Sequence, residues 1–247
     1  MRRVREALAV VFLGLATVAA AADAPAPPAP PPPLWAGQAE ISFVSTTGNT
    51  DVQTFGAAGQ LTWHPAPWSM EARAAFLRGE ADGEVKARSF AALLRGGRNL
   101  TPRLEVYVQG DYLKNTFAGI DGRISGEGGL AYALLLGPAH TLKAQAGLGY
   151  VNEKRVVGDD RSFAAAKGGL LYKWKFSKTG ELSDELTGTA DLEDSKDWRA
   201  TNTFAVAAAL STKLSLKLSH ALAYLNEPVP GFHKTDTITS FALVAKF

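Results

Sequence analysis

The sequence predicts an all-β protein, an antiparallel transmembrane β-barrel of about twelve strands of the outer-membrane type, and three observations predict it. Beyond residue 34 the chain is a nearly unbroken series of segments in which apolar and polar residues alternate with a period of two. The links between segments alternate between tight and long. Aromatic residues gather at both ends of the segments, where rings favour the two water interfaces of a membrane. A sandwich would need its apolar face buried against a second sheet, and the chain shows no division into two sheets.

Composition narrows the class. The 247 residues include no Cys, which excludes a disulfide framework, a thiolate metal site and a lipid-anchored cysteine. Residues 1–22 are predicted to be a cleaved secretory signal peptide: Arg2, Arg3 and Arg5 precede an apolar run from Ala7 to Ala19, and alanines at 19–22 offer small-residue cleavage. Removing them leaves a net charge of zero, so nothing argues for nucleic acid. Residues 23–34 are predicted to be a periplasmic spacer, since 24–33 hold seven of the thirteen prolines. Residues 35–247 form the barrel. No later stretch approaches the ~18 apolar residues of a spanning helix, and only helices and closed barrels satisfy every backbone group in lipid.

The segments follow in order. The first, 35–46, sets Trp35, Ala39, Ile41 and Phe43 against Gln38, Glu40 and Ser42. The second, 52–64, sets Phe55, Ala57, Leu61 and Trp63 against Thr54, Gln60 and Thr62. Trp68, Met70, Ala72, Ala74 and Phe76 then alternate with Ser69, Glu71 and Arg73, and Phe90, Ala92 and Leu94 oppose Ser89 and Arg95. Leu104, Val106, Val108 and Tyr112 oppose Glu105, Tyr107, Gln109 and Asp111. Ile124, Leu130, Tyr132 and Leu134 face away from Arg123, Ser125 and Glu127. Leu142, Ala144, Ala146, Leu148 and Tyr150 face away from Thr141, Lys143 and Gln145. Next come Ala164, Ala166, Leu170, Tyr172, Trp174 and Phe176 against Lys167, Lys173 and Lys175, then Leu182, Leu186, Ala190 and Leu192 against Glu185, Asp191 and Glu193. Strand ten carries Phe204, Val206, Ala208 and Leu210, and strand eleven Leu214, Leu216 and Leu218 against Ser215, Lys217 and Ser219. In the closing strand, 235–247, Phe241, Leu243, Ala245 and Phe247 alternate with Ser240, Ala242 and Lys246. A terminal aromatic on such a strand resembles the sorting signal of outer-membrane barrels, so Phe241, Leu243 and Phe247 are expected to be read by the barrel-assembly machinery.

Links near 65, 99–102, 137–140, 177–180 and 211–213 are tight, whereas 115–122, 152–161 and 226–236 are longer and more polar. Short periplasmic turns opposite longer external loops are the barrel pattern. In this register Trp35, Trp63, Trp68, Trp174, Phe176 and Phe247 fall at the tight-turn ends, and Tyr112, Tyr150, Phe204 and Tyr224 toward the outer ends.

Several stretches carry a resemblance: 45–50 (STTGNT), 115–121 (NTFAGID), 147–150 (GLGY), 197–199 (DWR) and 226–232 (NEPVPGF). Together they resemble the salt-induced outer-membrane protein family, the YdiY-like proteins, over about residues 35–247. The resemblance implies an outer-membrane barrel in a Gram-negative envelope and, the family being one of unknown function, no catalytic or binding residue. Residues 47–50 read as a hairpin turn with Gly48 and Asn49 free for positive φ. The 226–232 loop, stiffened by Pro228 and Pro230, reads as an ordered external loop or as a lid over the mouth, the former being the leading expectation.

No GxSxG elbow, phosphate loop, HExxH or metal-spaced His pair occurs. The chain is therefore expected not to be an enzyme, with no catalytic, cofactor-binding or metal residues and no cofactor. His220 is the one polar oddity. By parity it faces lipid with Leu216 and Leu218, near Thr239 and Asn202; either a β-bulge at Ser219 turns it inward, or a neutral His is tolerated, or a lipid-acting base sits there. The inward parity carries eight acids, Glu40, Glu71, Glu105, Asp111, Glu127, Glu185, Asp191 and Glu193, and eight bases, Arg73, Arg95, Arg123, Lys143, Lys167, Lys173, Lys175 and Lys217. These are the lumen-lining candidates. The leading expectation is a narrow channel or solute-binding barrel linked to salt or envelope stress. The alternatives are a structural surface protein with a plugged lumen and a lipid-acting outer-membrane enzyme. Expected partners are outer-membrane lipid and a small solute.

Overall fold

Period-2 alternation gives each strand one apolar and one polar face, and closing the sheet on itself turns every apolar face outward. In the computed structural model, which describes residues 34–47, 52–81 and 84–247, this closure is complete. The predicted signal peptide, nearly all of the proline-rich spacer and the 48–51 turn lie outside the described residues. Twelve strands form the wall: β1 (Trp35–Thr47), β2 (Val52–Trp63), β3 (Trp68–Ala81), β4 (Glu84–Asn99), β5 (Leu104–Asn115), β6 (Ile120–Leu136), β7 (His140–Arg155), β8 (Arg161–Trp174), β9 (Gly180–Asp191), β10 (Trp198–Ala209), β11 (Leu214–Leu225) and β12 (Thr235–Lys246). Each is antiparallel to its neighbours in chain order, and β1 pairs with β12 to close the barrel.

The outer surface is the reverse of a water-soluble protein's. Ile41, Phe55, Leu94, Val108 and Leu148, on five strands from β1 to β7, expose 65% to 70% of their surface, and Leu218 and Phe241 on β11 and β12 expose 53%. Leaving that much apolar area in water costs about 25 cal/mol per Å², so the wall belongs in hydrocarbon. No helix among the described residues is long and apolar enough to cross a membrane; the crossing is made by strands.

Tight turns close one end of the barrel. Three use the same device, a hydroxyl accepting from the backbone N–H three residues on: Thr101 from Leu104 (2.9 Å), Ser177 from Gly180 (2.7 Å) and Ser211 from Leu214 (3.1 Å). Aromatics mark this end, with Trp35 stacked on Trp63 and Trp174 on His140. At the seam, Gly37 and Phe247 exchange backbone hydrogen bonds of 2.7 and 2.9 Å, and the Phe247 ring lies where a side chain at position 37 would stand. That close approach requires glycine.

At the long-loop end the strands run further than their apolar pattern indicates. β3 and β4 extend to Ala81 and Glu84, β7 continues to Arg155, and β10 begins at Trp198. The last shift corrects one aromatic. Phe204 sits in mid-strand opposite His220, and Trp198, its ring tilted against that of Tyr224 with centroids 4.9 Å apart, takes the outer-girdle place. The 115–122 link is also tighter than expected, a 3₁₀ turn at Thr116–Ala118 capped by Gly119 at φ 73°.

Candidate functional site: a bridged and capped lumen

Inward-facing polar side chains must pair or stay wet, because leaving a buried charge unpaired is costly. In the lower half of the lumen they pair across it. Gln38 donates to Gln60 (2.9 Å), Gln60 to Glu71 (2.6 Å), and Arg73 bonds Glu71 on its own strand. Arg73 then reaches Glu185 on β9 at 3.4 Å. β3 and β9 lie six places apart in a ring of twelve, so this contact joins opposite walls.

A second bridge is built on Tyr107, which is buried. Its hydroxyl donates to Glu127 (3.0 Å), and the Arg95 guanidinium stacks over its ring at 3.7 Å while donating to Gln145 on β7 (2.9 Å). Gly147 leaves room for that ring, since a Cβ there would stand 3.1 Å from the Tyr107 oxygen and 2.8 Å from the Gly128 carbonyl. Lys167 on β8 meets Glu127 at 2.8 Å, Ser125 at 3.0 Å and Asp111 at 3.4 Å. Lys217 bonds Glu40 near the seam.

Toward the long-loop end lies a denser layer. Glu153 is fully buried and takes three guanidinium groups: Arg123 Nε (2.7 Å) and Arg199 Nη1 (2.7 Å) donate to Oε2, Arg155 Nε (2.8 Å) to Oε1. Arg199 also donates to Asp197 (3.1 Å). Arg161 forks between Asp197 and Glu227, at 2.8 Å each. Glu227 lies on the 226–234 loop, so this layer ties a long loop to the wall. Above it, Phe117 from the 3₁₀ turn after β5 packs on Val44 of β1 and Leu77 of β3, with Ile238 of β12 beside them. Val229 of the long loop is fully buried, and the Phe232 ring fills the space over Gly119. The 226–232 segment is therefore folded onto the 116–119 turn and tied to the wall, which favours the lid reading over that of a merely ordered loop.

The lumen holds a cavity of ≈ 810 Å³ that extends to His64 and Asn99 at the tight-turn end. Of the predicted lumen residues, Glu40, Glu71, Arg73, Arg95, Glu105, Asp111, Arg123, Glu127, Lys143, Lys167 and Glu185 line it, and Lys217 reaches it through Glu40. Four do not. Lys173, the last residue but one of β8, and Lys175, beyond its end, are exposed near the tight-turn rim. β9 ends at Asp191, whose carboxylate accepts the backbone N–H groups of Glu193 (2.7 Å) and Asp194 (3.2 Å), so both acids belong to a turn. The residues not anticipated are Glu153, Arg155, Arg161, Asp197, Arg199 and Glu227. A signal for three of them was present, because Asp197, Arg199 and Glu227 belong to the short motifs 197–199 and 226–232.

His220 keeps its parity. The pairing of β11 with β10 and β12 runs without a bulge through Ser219 and His220, which corrects the inward-turn reading. The ring is exposed on the outer wall and its Nδ1 lies 2.9 Å from Thr239 Oγ1. Asn202 is engaged elsewhere, donating to Asp184 at 2.6 Å. The base, hydroxyl and orienter are not assembled into a relay.

The closed ring, its lipid-type outer wall and its polar lumen define an outer-membrane-type β-barrel. One solved structure supports the fold, and two others are similar at a lower level. The NanC porin has a TM-score of 0.59 at 8% identity, covering 85% of this chain and 100% of that one. The anion-selective porin from Comamonas acidovorans gives 0.45 at 8% identity, over 86% and 98%. The Pseudomonas putida toluene transporter TodX gives 0.40 at 10%, over 87% and 89%. No curated protein sequence matches the chain. The chain belongs to the DUF481 family, described as a protein of unknown function, which matches residues 39–247. That membership agrees with the YdiY-like resemblance in the sequence.

Proposed function

We propose that this protein is an integral outer-membrane barrel that binds a small polar solute in its lumen and admits it only when the outer cap opens. In this reading the tight turns face the periplasm and the capped mouth faces outward. The observation that carries it is the ≈ 810 Å³ cavity left in the lumen around the Arg73–Glu185 bridge. That space falls within the ~300–1,000 Å³ of small-molecule sites. A purely structural plug would fill it with side chains.

The lining also points to the class of solute. Six acidic and six basic residues border the cavity, so it carries no net field with which to select an ion. A neutral or zwitterionic solute with several hydrogen-bonding groups fits. No relay is assembled at His220, which supports a binding rather than an enzymatic role, and the resemblance to salt-induced proteins supports a link to envelope stress.

In planar bilayers the purified protein is expected to give small, weakly selective currents or none. Large, steady, strongly charge-selective currents would overturn the reading. The terminal strand carries the assembly role in this proposal, through Phe241, Leu243 and above all Phe247, which completes the seam with Gly37. Phe247→Ala is expected to lower outer-membrane levels and leave intact chain in the periplasm, as fractionation and immunoblotting would show. Normal insertion would remove that role from Phe247.

A further inference from the structure

The outer wall is not uniformly convex. In the tight-turn half, across β2 to β5, an apolar groove of ≈ 680 Å³ opens to the lipid side, and a second depression of ≈ 520 Å³ shares Trp63, Met70, Gly96 and Val108 with it and continues toward the turns. Trp63 and Leu61 form one wall and Val108 the other. The floor is low because two strand positions lack side chains: a Cβ built at Gly96 or at Gly110 would meet nothing within 4 Å. Glycine weakens a strand, and within one it often marks a place where something else comes close. No neighbouring side chain of the barrel fills the space over these two.

The lower end of the groove carries a charge. Arg98, on the same outward parity as Gly96, stacks its guanidinium over the Trp68 ring at 5.4 Å. It is exposed and meets no acidic side chain among the described residues. An arginine held at a membrane boundary without a carboxylate is complementary to phosphate, which a guanidinium binds in a bidentate fork.

We propose that this groove is a binding site for one glycerophospholipid of the periplasmic leaflet, with an acyl chain over Gly96 and Gly110 and its phosphate on Arg98. The inference rests on the membrane orientation given above. Bulk lipid would wet any outer face; here the depth and the lone cation at one end select a chain joined to a phosphate. A second copy of this chain is the competing occupant, but the acid on the outward face of its β9, Asp184, is already held by Asn202 at 2.6 Å.

The test is native mass spectrometry of the full chain released from detergent after titration with phosphatidylglycerol, with diacylglycerol as the phosphate-free comparator. Wild type is expected to retain one phosphatidylglycerol. Gly96→Leu with Gly110→Leu, which fills the groove from positions with open space above them, should lower retention at least about tenfold, and Arg98→Gln should lower it by about tenfold for phosphatidylglycerol while leaving diacylglycerol unchanged. Ala208→Leu, on the outer face of β10, is the control and should change neither. Equal retention by wild type and the filled variant would overturn the proposal. So would a doubled protein mass in wild type that the filled variant abolishes, since a second copy would then occupy the groove. Each sample is also run unboiled and boiled on a denaturing gel. If wild type migrates identically in both, the barrel reading itself fails, and the site with it.

Discussion

Glu153→Gln is expected to destabilise the barrel by about 3–5 kcal/mol, the usual cost of removing one member of a buried ion pair. Glu153 is fully buried, and its two oxygens are shared by Arg123, Arg155 and Arg199. Neutralising it leaves three guanidinium groups packed together with only Asp197 nearby to offset them. The measurement is urea-driven unfolding of barrel reconstituted in lipid vesicles, read by the shift between folded and unfolded bands on an unboiled gel. A second variant separates charge from shape. Adding Arg123→Gln to Glu153→Gln removes one of the stranded cations and should recover part of the loss. A Glu153→Gln barrel within about 1 kcal/mol of wild type would mean that the layer is wet and its charges screened.

The second large effect concerns the cap. Phe117→Ala removes the ring that fills the space between Val44, Leu77 and Ile238, and Phe-to-Ala changes in packed sites cost about 3–5 kcal/mol. Here the loss falls on a loop rather than on the strands, because the wall keeps its full backbone ladder. The expected result is an open mouth on an intact barrel: unchanged migration on an unboiled gel, together with discrete channel openings where wild type shows few or none. Severing the tie below it, with Glu227→Gln, should act in the same direction more weakly, since Arg161 and Glu227 are each about a third exposed. Silent bilayers for both variants would place the barrier lower, at the Arg73–Glu185 bridge.

Strand number, faces and the two ends of the barrel were legible because hydrocarbon imposes a strict rule. Wherever one face must be apolar and the other polar, as from Trp68 to Phe76 or from Leu142 to Tyr150, the period of two is visible in a single sequence. Above the membrane the rule lapses. Asn152, Glu153, Lys154 and Arg155 are all polar, so their alternation carries no contrast, and a strand reads as a loop although Glu153 and Arg155 point inward and are buried. A lid was one of two readings of 226–232, but the residues it packs with were illegible for a different reason. Phe117, Val44, Leu77 and Ile238 come from four separate parts of the chain, and nothing local in any of them announces the others. The motifs 115–121, 197–199 and 226–232 did single out the right segments, two of them as external loops and 197–199 only as part of the family resemblance; what they share is that their side chains meet at one end of the barrel.

The equality of acidic and basic residues around the cavity has a consequence for behaviour in concentrated electrolyte. A lumen lined by one sign works through a long-range field, and that field fades as the Debye length contracts from about 10 Å at 0.1 M salt to about 3 Å at 1 M. This lumen has no such field to lose. Its bridges act at contact distance, from Lys167 at 2.8 Å on Glu127 to Arg73 at 3.4 Å on Glu185, well inside the screening length at 0.1 M and close to that at 1 M. In the proposed reading, recognition of an uncharged or zwitterionic solute by hydrogen bonds would draw little on such a field, so binding is expected to vary little between dilute and briny surroundings.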